Sequence, residues 1–282
     1  MLQEIKILNR TLLSDAIAKN TELGFFQIVK VINNRNVKVN GRRIGEDVYV
    51  NTGDIINIYI KDREKDNIEI VFQDTNILVA NKMAGIEVEG EDSLTTRLNA
   101  QLDEITVKAV HRLDRNTMGL VLFALNDVAE KELLKVFKDR ELDKQYYCLV
   151  SGQPKKSEIL KDFLFKDSKK SQVYVSSTQK VGYSPIETHY KFIKRKGELS
   201  LLDVTLVTGR THQIRAHLAF HNLPIVGDGK YGVNAISKKY KVKQQALYCY
   251  KLTFHFEKNS PLHYLDSTVV KTDIDLFDLV TF

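Results

Sequence analysis

The chain has 282 residues, of which 43% are hydrophobic and 28% are charged. This composition supplies a sizeable core and excludes a disordered chain, a collagen and a coiled coil. Lys and Arg outnumber Asp and Glu by 42 to 36, and the net charge of +6 favours an anionic partner, although a solvated basic surface gives the same count. No apolar run approaches the roughly 20 residues of a membrane helix, and no signal peptide is recognisable. We expect a cytoplasmic protein without a membrane partner.

Cys148 and Cys249 each lie in an apolar, aromatic stretch without CxxC or Cys/His spacing. They are predicted to be reduced core thiols rather than parts of a disulfide framework or a zinc site. The chain also lacks a GxxxxGK[ST] phosphate loop, and its single GxGxxG match, GDGKYG, does not lie in an alternating strand–helix–strand pattern. Neither ATP nor a dinucleotide is therefore expected as a cofactor.

Residues 1–61 are predicted to form a small unit of two short helices and a basic hairpin. Apolar residues recur at helical spacing between residues 12 and 32 and then alternate with a period of two. Asn40-Gly41 predicts a tight turn between strands, and Arg42 and Arg43 follow it directly. Residues 62–67 carry charges of both signs without an apolar anchor, which favours a linker, although a solvated loop within one domain fits nearly as well.

Residues 68–282 are predicted to form a second, larger domain of α+β class. Strands are expected at 68–72, 77–81, 107–113, 120–125, 145–150, 188–194, 199–207 and 247–256. Helices are expected at 94–102, 127–139 and 211–220. Because strands and helices do not alternate one for one, a mixed, largely antiparallel sheet fits better than a doubly wound parallel sheet.

The segment HRLDRNTMG, residues 111–119, lies between two apolar runs. Asp114 is flanked there by Arg112 and Arg115. Two nearby guanidinium groups hold a carboxylate ionised, as a nucleophile or a base requires. An ordinary surface ion-pair cluster is the alternative interpretation.

The segment TGRTHQIRAH, residues 208–217, is predicted to join a strand to a helix. Thr211 is expected to cap that helix, whose free backbone N–H groups then form an anion site. Arg215 follows one turn later, on the side of the strand end. His212 and His217 are five residues apart and point away from each other, so no metal site is expected.

The segment KQYYCLV, residues 144–150, is predicted to be a strand that places Lys144, Tyr146 and Cys148 on one face. A tyrosine beside a lysine suits base stacking combined with phosphate neutralisation. An ordinary sheet aromatic is the other interpretation of Tyr146.

Three segments together, HRLDRNTMGLVLFALN, DKQYYCLVSG and TGRTHQIRAHLAFHNLPIVGDGKYG, resemble the ordered motifs of the RluA-type pseudouridine synthases over residues 68–256. Residues 11–60, with VNGRRI and GDIINI, resemble an S4 RNA-binding domain. The resemblance implies an RNA isomerase that breaks the uridine N1–C1′ bond, rotates the base and rejoins it through C5. Large-subunit rRNA is the substrate it favours, with tRNA as the other possibility.

The resemblance further implies that Asp114 is the essential aspartate, that Arg215 pairs with it, and that Tyr146 packs on the target base and assists proton removal at C5. It leaves open whether the aspartate adds to the sugar, adds to the base or removes a sugar proton. The expected RNA contacts are Arg112, Arg115, Lys144, Arg210, His212, Arg42 and Arg43. A monomer that needs no cofactor and no metal is expected.

Two positions depart from the family pattern. Met118 stands where a serine is common, and Met83, between Lys82 and Gly85, stands where a proline is usual. We expect altered packing or substrate fit from them rather than lost activity. A non-catalytic RNA-binding or ribosome-assembly protein is the alternative function, and a metal-dependent hydrolase is disfavoured because ligand spacing is missing.

Overall fold

Residues 2–21, 23–59, 67–102 and 105–281 are described by a computed structural model of the chain. The chain separates into two units, residues 1–67 and 68–282. The predicted linker, residues 62–67, lies outside the described residues except for residue 67. The assignment of the first unit to the S4 domains stays a prediction.

The first unit packs two short helices beside small antiparallel sheets. Its helices are α1 (Leu13–Asn20) and α2 (Phe25–Asn33). Its strands are β1 (Leu2–Lys6), β2 (Thr11–Leu12), β3 (Val37–Val39), β4 (Arg42–Ile44), β5 (Tyr49–Val50) and β6 (Ile55–Tyr59). The sheet order is β1-β6-β3-β4, with β2 paired to β5. Asn40 and Gly41 have φ values of 47° and 80°, so the predicted hairpin turn is confirmed.

The second unit is organised around one large sheet. Its strands are β7 (Glu69–Gln73), β8 (Ile77–Lys82), β9 (Lys108–Ala109), β10 (Met118–Ala124), β11 (Leu142–Ser151), β12 (Ser157–Asp167), β13 (Gln172–Ser176), β14 (Ser184–Lys196), β15 (Leu199–Leu206), β16 (Leu247–Phe254) and β17 (Val269–Lys271). The order is β13-β12-β14-β15-β11-β16-β10-β8-β7, with β9 on β10 and β17 on β16. Among the described strands only β10 and β16 pair in parallel, so the predicted mixed, largely antiparallel sheet is confirmed.

The helices of this unit are α3 (Leu94–Leu102), α4 (Asp127–Asp139), α5 (Gln213–Phe220) and α6 (Asn234–Lys239). Short 3₁₀ turns occupy His263–Leu265 and Leu276–Leu279. The Asn126 side chain accepts the Ala129 N–H and caps α4, which ends at Arg140 in the left-handed conformation. Every residue of β10 is buried, so this strand runs through the middle of the core.

Two sequence predictions for regular structure were wrong in detail. The strand expected at 107–113 is reduced to Lys108–Ala109. The reason is that the Leu122 N–H donates its hydrogen bond to the His111 side chain, at Nε2, instead of to the backbone of a neighbouring strand. The helix expected from Thr211 begins at Gln213, since His212 has a φ of 53°, and Thr211 does not cap it. The Gln213 side chain instead accepts the Arg210 N–H and the Thr208 hydroxyl. Sequence reasoning also missed β12, β13, β17 and α6.

Both cysteines are buried free thiols, as predicted. Cys148 lies on β11, where Tyr146 and Cys148 enter the main apolar cluster while Tyr147 and Leu149 join the cluster on the other face. The predicted alternation of this strand is therefore confirmed. Among the described residues, no helix has the length and apolar character needed to span a membrane.

Gly119 allows β10 to approach β16 in the parallel pair. Its φ is +109°, and a Cβ there would lie 2.3 Å from the Cys249 carbonyl oxygen. Both the conformation and the space therefore require glycine.

We predict that Gly119→Ala lowers the free energy of unfolding by about 3 kcal/mol, because it adds backbone strain and overpacking together. Gly209→Ala is the matched control, since no atom lies within 4 Å of a Cβ at that position. Urea unfolding of both variants is the measurement. Equal stability of the two variants would contradict the tight β10–β16 approach.

Candidate active site

Asp114 lies on a tight turn that leads from β9 into β10. The turn is closed by a bond of 3.0 Å from the Thr117 N–H to the Asp114 carbonyl. Gln245 Nε2 donates a hydrogen bond of 2.9 Å to the buried Thr117 hydroxyl. The Gly85 N–H donates one of 2.9 Å to the Arg115 carbonyl. Neighbouring segments therefore hold the turn at two points beyond its own closing bond.

Lys82 supports the same turn from beneath. Its side chain is fully buried, and its Nζ donates to the carbonyls of Met83, Ile86 and Arg115 at 2.9–3.0 Å. Burial lowers the pKa of Lys82 to about 8, although nearby Asp114 and Glu87 raise it. The ammonium thus fixes backbone rather than pairing directly with a carboxylate.

Arg215 joins two carboxylates from different loops. Its Nη1 lies 2.8 Å from Asp114 Oδ2, while its Nε and Nη2 bind Asp228 in a bidentate pair at 2.7 and 3.0 Å. Asp228 has no exposed side-chain surface, whereas Asp114 is 24% exposed. This Asp114–Arg215–Asp228 chain of salt bridges leaves Asp114 as the member that faces solvent.

The charges within this chain stabilise one another. Burial raises the pKa of Asp228, but Arg215 and the backbone N–H groups of Lys230 and Tyr231 outweigh it and hold the pKa below 3.8. Burial lowers the pKa of Arg215, because it disfavours the charged form. Asp228 and Asp114 more than offset this effect, so the pKa of Arg215 is raised overall. Asp228 is thus a permanent counter-ion that fixes the guanidinium plane.

Tyr231 and His212 close one side of this arrangement. The Arg215 guanidinium lies 5.3 Å from the centre of the Tyr231 ring, and the Tyr231 hydroxyl is 3.0 Å from His212 Nδ1. His212 Nε2 is 3.9 Å from Asp114 Oδ2. Burial lowers the pKa of His212 despite nearby Asp114, which favours a neutral imidazole beside the carboxylate.

Tyr146 is almost completely buried in the main core cluster. Burial, together with Cys249 and Asp114 nearby, raises the pKa of Tyr146 well above 10.0. Its phenol is therefore protonated at neutral pH in the free protein. It offers a ring and a neutral hydroxyl rather than a base.

The remaining predicted residues fall into different surroundings. Arg112, Arg115 and Arg210 are exposed, and Arg115 Nε donates to the Gly85 carbonyl. Lys144 instead places its ammonium 4.7 Å from the Phe137 ring centre and 3.3 Å from the Leu142 carbonyl, which favours packing over a phosphate contact.

Arg42 and Arg43 are exposed on β4 of the first unit.

Sequence reasoning missed the supporting residues Asp228, Tyr231 and Gln245. Asp228 and Tyr231 lie within the quoted GDGKYG segment, so their polar character in a turn was the available signal. Gln245 carried no signal, because its contact with Thr117 spans 128 positions.

Comparison with known proteins decides the family. Residues 76–220 match the family model described as RNA pseudouridylate synthase. A protein of Mycoplasma capricolum subsp. capricolum, named an uncharacterized RNA pseudouridine synthase, is 31% identical over 86% of this chain and 87% of its own. This chain belongs to the RNA pseudouridylate synthase family.

Further relatives of this pseudouridine synthase carry more specific names. Two proteins of Buchnera aphidicola subsp. Baizongia pistaciae are named ribosomal large subunit pseudouridine synthases C and D. They are 28% and 30% identical over 88% and 87% of this chain, and these matches cover 89% and 85% of their own lengths. The solved structure of human RNA Pseudouridylate Synthase Domain Containing 1 has a TM-score of 0.61 at 21% identity, covering 76% of this chain and 92% of that one, and thus shares the fold.

As a member of this family, the pseudouridine synthase is an isomerase that converts uridine in RNA to pseudouridine. Its two departures from the family motifs lie in different surroundings. Met118 is buried in β10, with its sulfur 3.7 Å from Gln244 Nε2, whereas Met83 is 60% exposed. Met118 therefore bears on packing next to the Asp114 turn, and Met83 does not enter the core.

We predict that Asp228→Asn slows pseudouridine formation about 100-fold, because Arg215 loses the partner that orients it toward Asp114. The same change should lower the free energy of unfolding by about 3 kcal/mol, since it breaks a buried pair. Single-turnover assays and urea unfolding measure the two effects. Asp273→Asn, at an exposed position, is the control and should change neither.

The stability difference between wild type and Asp228→Asn should depend on pH. The pKa of Asp228 is lower in the folded protein than its ordinary 3.8, so its stabilisation is complete above that value and is lost as the pH falls through the folded-state pKa. Unfolding measured from neutral pH downward should show the two proteins converging below 3.8. A constant difference across that range would contradict the assigned pair.

Proposed function

We propose that this enzyme modifies uridines of large-subunit rRNA and that Asp114 is its essential carboxylate. The relatives named for the large ribosomal subunit support the substrate class. The observation that most supports this role for Asp114 is its position. Asp114 is the partly exposed end of a chain of salt bridges whose other members are buried. A reacting group must meet substrate while its supports stay fixed.

The reaction requires a flipped nucleotide and no change of oxidation state. The uridine N1–C1′ bond breaks, the base turns, a C5–C1′ bond forms, and the proton on C5 leaves while N1 gains one. The target base lies within a stack in folded RNA, so it has to be extruded into the site. In our proposal Asp114 meets the extruded nucleotide, and Arg215 keeps the carboxylate oriented through the bond of 2.8 Å.

Tyr146 is proposed to support the flipped base with its ring. Its raised pKa favours a neutral hydroxyl that donates a hydrogen bond over a phenolate that removes the C5 proton. Tyr146 belongs to β11, whose backbone pairs with β15 on one side and β16 on the other, so the ring projects from a rigid strand. Rigid aromatic surfaces bind an unstacked base with little loss of side-chain entropy.

RNA phosphates are proposed to contact the exposed arginines near the site, Arg112, Arg115 and Arg210, and His212 is proposed to contact RNA beside Asp114. The first unit is proposed to be an S4-like RNA-binding domain whose Arg42 and Arg43 contact phosphate. The enzyme is also proposed to act as a monomer. An rRNA substrate supports a cytoplasmic location.

We predict that Asp114→Asn lowers tritium release from rRNA labelled at uridine C5 by about 1,000-fold or more, because the reacting carboxylate is lost. Binding of the same RNA, measured by filter retention, should survive within about threefold, since phosphate contacts dominate affinity. Asp139→Asn, at the exposed end of α4, is the control and should retain activity. Turnover by Asp114→Asn at the wild-type rate would rule out this carboxylate.

We predict that replacing Arg42 and Arg43 together by Ala weakens RNA binding and makes the slope of log affinity against log salt shallower by about one to two. The paired Arg→Lys variant keeps both charges and should retain the wild-type slope. Titrations at several salt concentrations measure it. An unchanged slope in the Ala variant would leave these arginines as solvated turn residues.

A further inference from the structure

A second polar cluster lies on α5, away from Asp114. His217 and His221 are four residues apart and therefore share one helix face, whereas Arg215 points to the other side. His217 Nε2 lies 3.0 Å and His221 Nε2 lies 2.6 Å from Asp162 Oδ2, which belongs to β12. The three potential ligand atoms all lie within 4.8 Å of one another. No step of the proposed reaction uses them.

The surroundings of this cluster resemble those of a prepared metal site. His217 is fully buried and Asp162 is 6% exposed. His217 Nδ1 lies 2.9 Å from the Thr188 hydroxyl, so its other nitrogen is aimed at Asp162. An outer partner of this kind fixes the orientation of metal-binding histidines. The hydroxyl rotates, and it therefore serves His217 whether Nδ1 carries the proton or not.

The electrostatics also suit a cation. The Asp162 carboxylate and the two imidazoles face one another across short distances. Neutral imidazole and carboxylate are the ligand forms that zinc binds. The Asp162 carboxylate supplies negative charge that a bound dication would neutralise.

The dimensions are close to those of a tetrahedral ion. Zinc–ligand bonds of about 2.0–2.1 Å separate neighbouring ligand atoms by roughly 3.3 Å. From 3.0 Å the His217–Asp162 distance would have to widen by about 0.3 Å, and from 2.6 Å the His221–Asp162 distance would have to widen by about 0.7 Å. The His221 side chain is 32% exposed, so it can make this shift and leaves a fourth position to water.

We propose that Asp162, His217 and His221 form a zinc-binding site that ties α5 to β12. Two nitrogens and one oxygen favour Zn²⁺ over the hard cations Mg²⁺ and Ca²⁺. The sequence expectation of no metal site rested on the separation of His212 and His217. It overlooked the pair at 217 and 221, whose third ligand comes from a strand that the pattern did not reveal.

The consequence of binding would be structural. The helix whose one face binds the ion presents Arg215 to Asp114 from its other side. Zinc would stabilise the folded state by mass action and restrain the helix without entering the isomerisation.

The test uses untagged, full-length protein that has been treated with a chelator and dialysed. Calorimetric titration with Zn²⁺ should give one ion per chain, thermal melting should shift upward, and Co²⁺ should produce the visible absorption of a four-coordinate site. His221→Ala, a change at the partly exposed ligand, should weaken Zn²⁺ binding by at least about 100-fold. Asp162→Asn, which keeps the side-chain shape, should do the same.

His255→Ala is the matched control. His255 also lies 2.9 Å from a carboxylate, that of Asp143, but belongs to no three-ligand group among the described residues. The His255→Ala variant should bind Zn²⁺ with the wild-type affinity. Absence of binding in the wild type, or equal affinity in wild type and His221→Ala, would reduce the cluster to a hydrogen-bonded network. These readouts do not depend on activity and therefore stand apart from the proposed function.

Discussion

The Arg215 guanidinium is the group on which the candidate site depends. It is held by Asp228 in a bidentate pair and offers its remaining nitrogen to Asp114. A guanidinium in low dielectric needs a full counter-ion, and Asp228 provides one that stays charged. Because Asp228 already balances the charge of Arg215 within the core, the Arg215–Asp114 bond is not needed for that purpose. It can orient the partly exposed Asp114 carboxylate.

The rest of the second unit brings this group and Asp114 together. Asp114 precedes the fully buried strand β10, while Arg215 lies on α5, 101 positions later. Lys82 fixes the turn by donating hydrogen bonds to backbone carbonyls. Gly119 permits β10, which follows the turn, to lie close to β16. The two carboxylates therefore lie on loops that hydrogen bonds and a neighbouring helix hold in place. Rigid support of this kind suits a reaction whose substrate has to be brought out of an RNA stack.

Much of this architecture was predictable from local pattern. The alternation around Tyr146, the limits of α3 and α4, and the mixed sheet follow from residue spacing. The motifs that carry Asp114 and Arg215 were recognised by resemblance. Local pattern failed where a side chain replaced a backbone partner, as at His111, and where a non-glycine residue adopted positive φ, as at His212. Contacts between distant segments, such as that of Asp162 with α5, have no local signature.

Asp228 is proposed to act on the reaction only through Arg215. A double-mutant cycle in single-turnover pseudouridine formation tests it directly, using Arg215→Gln, Asp228→Asn and the combined variant on one rRNA substrate. The combined variant is expected to be no slower than the slower single variant, because both changes remove the same orienting bond. Rate losses that multiply in the combined variant would show that the two residues act independently and would contradict it.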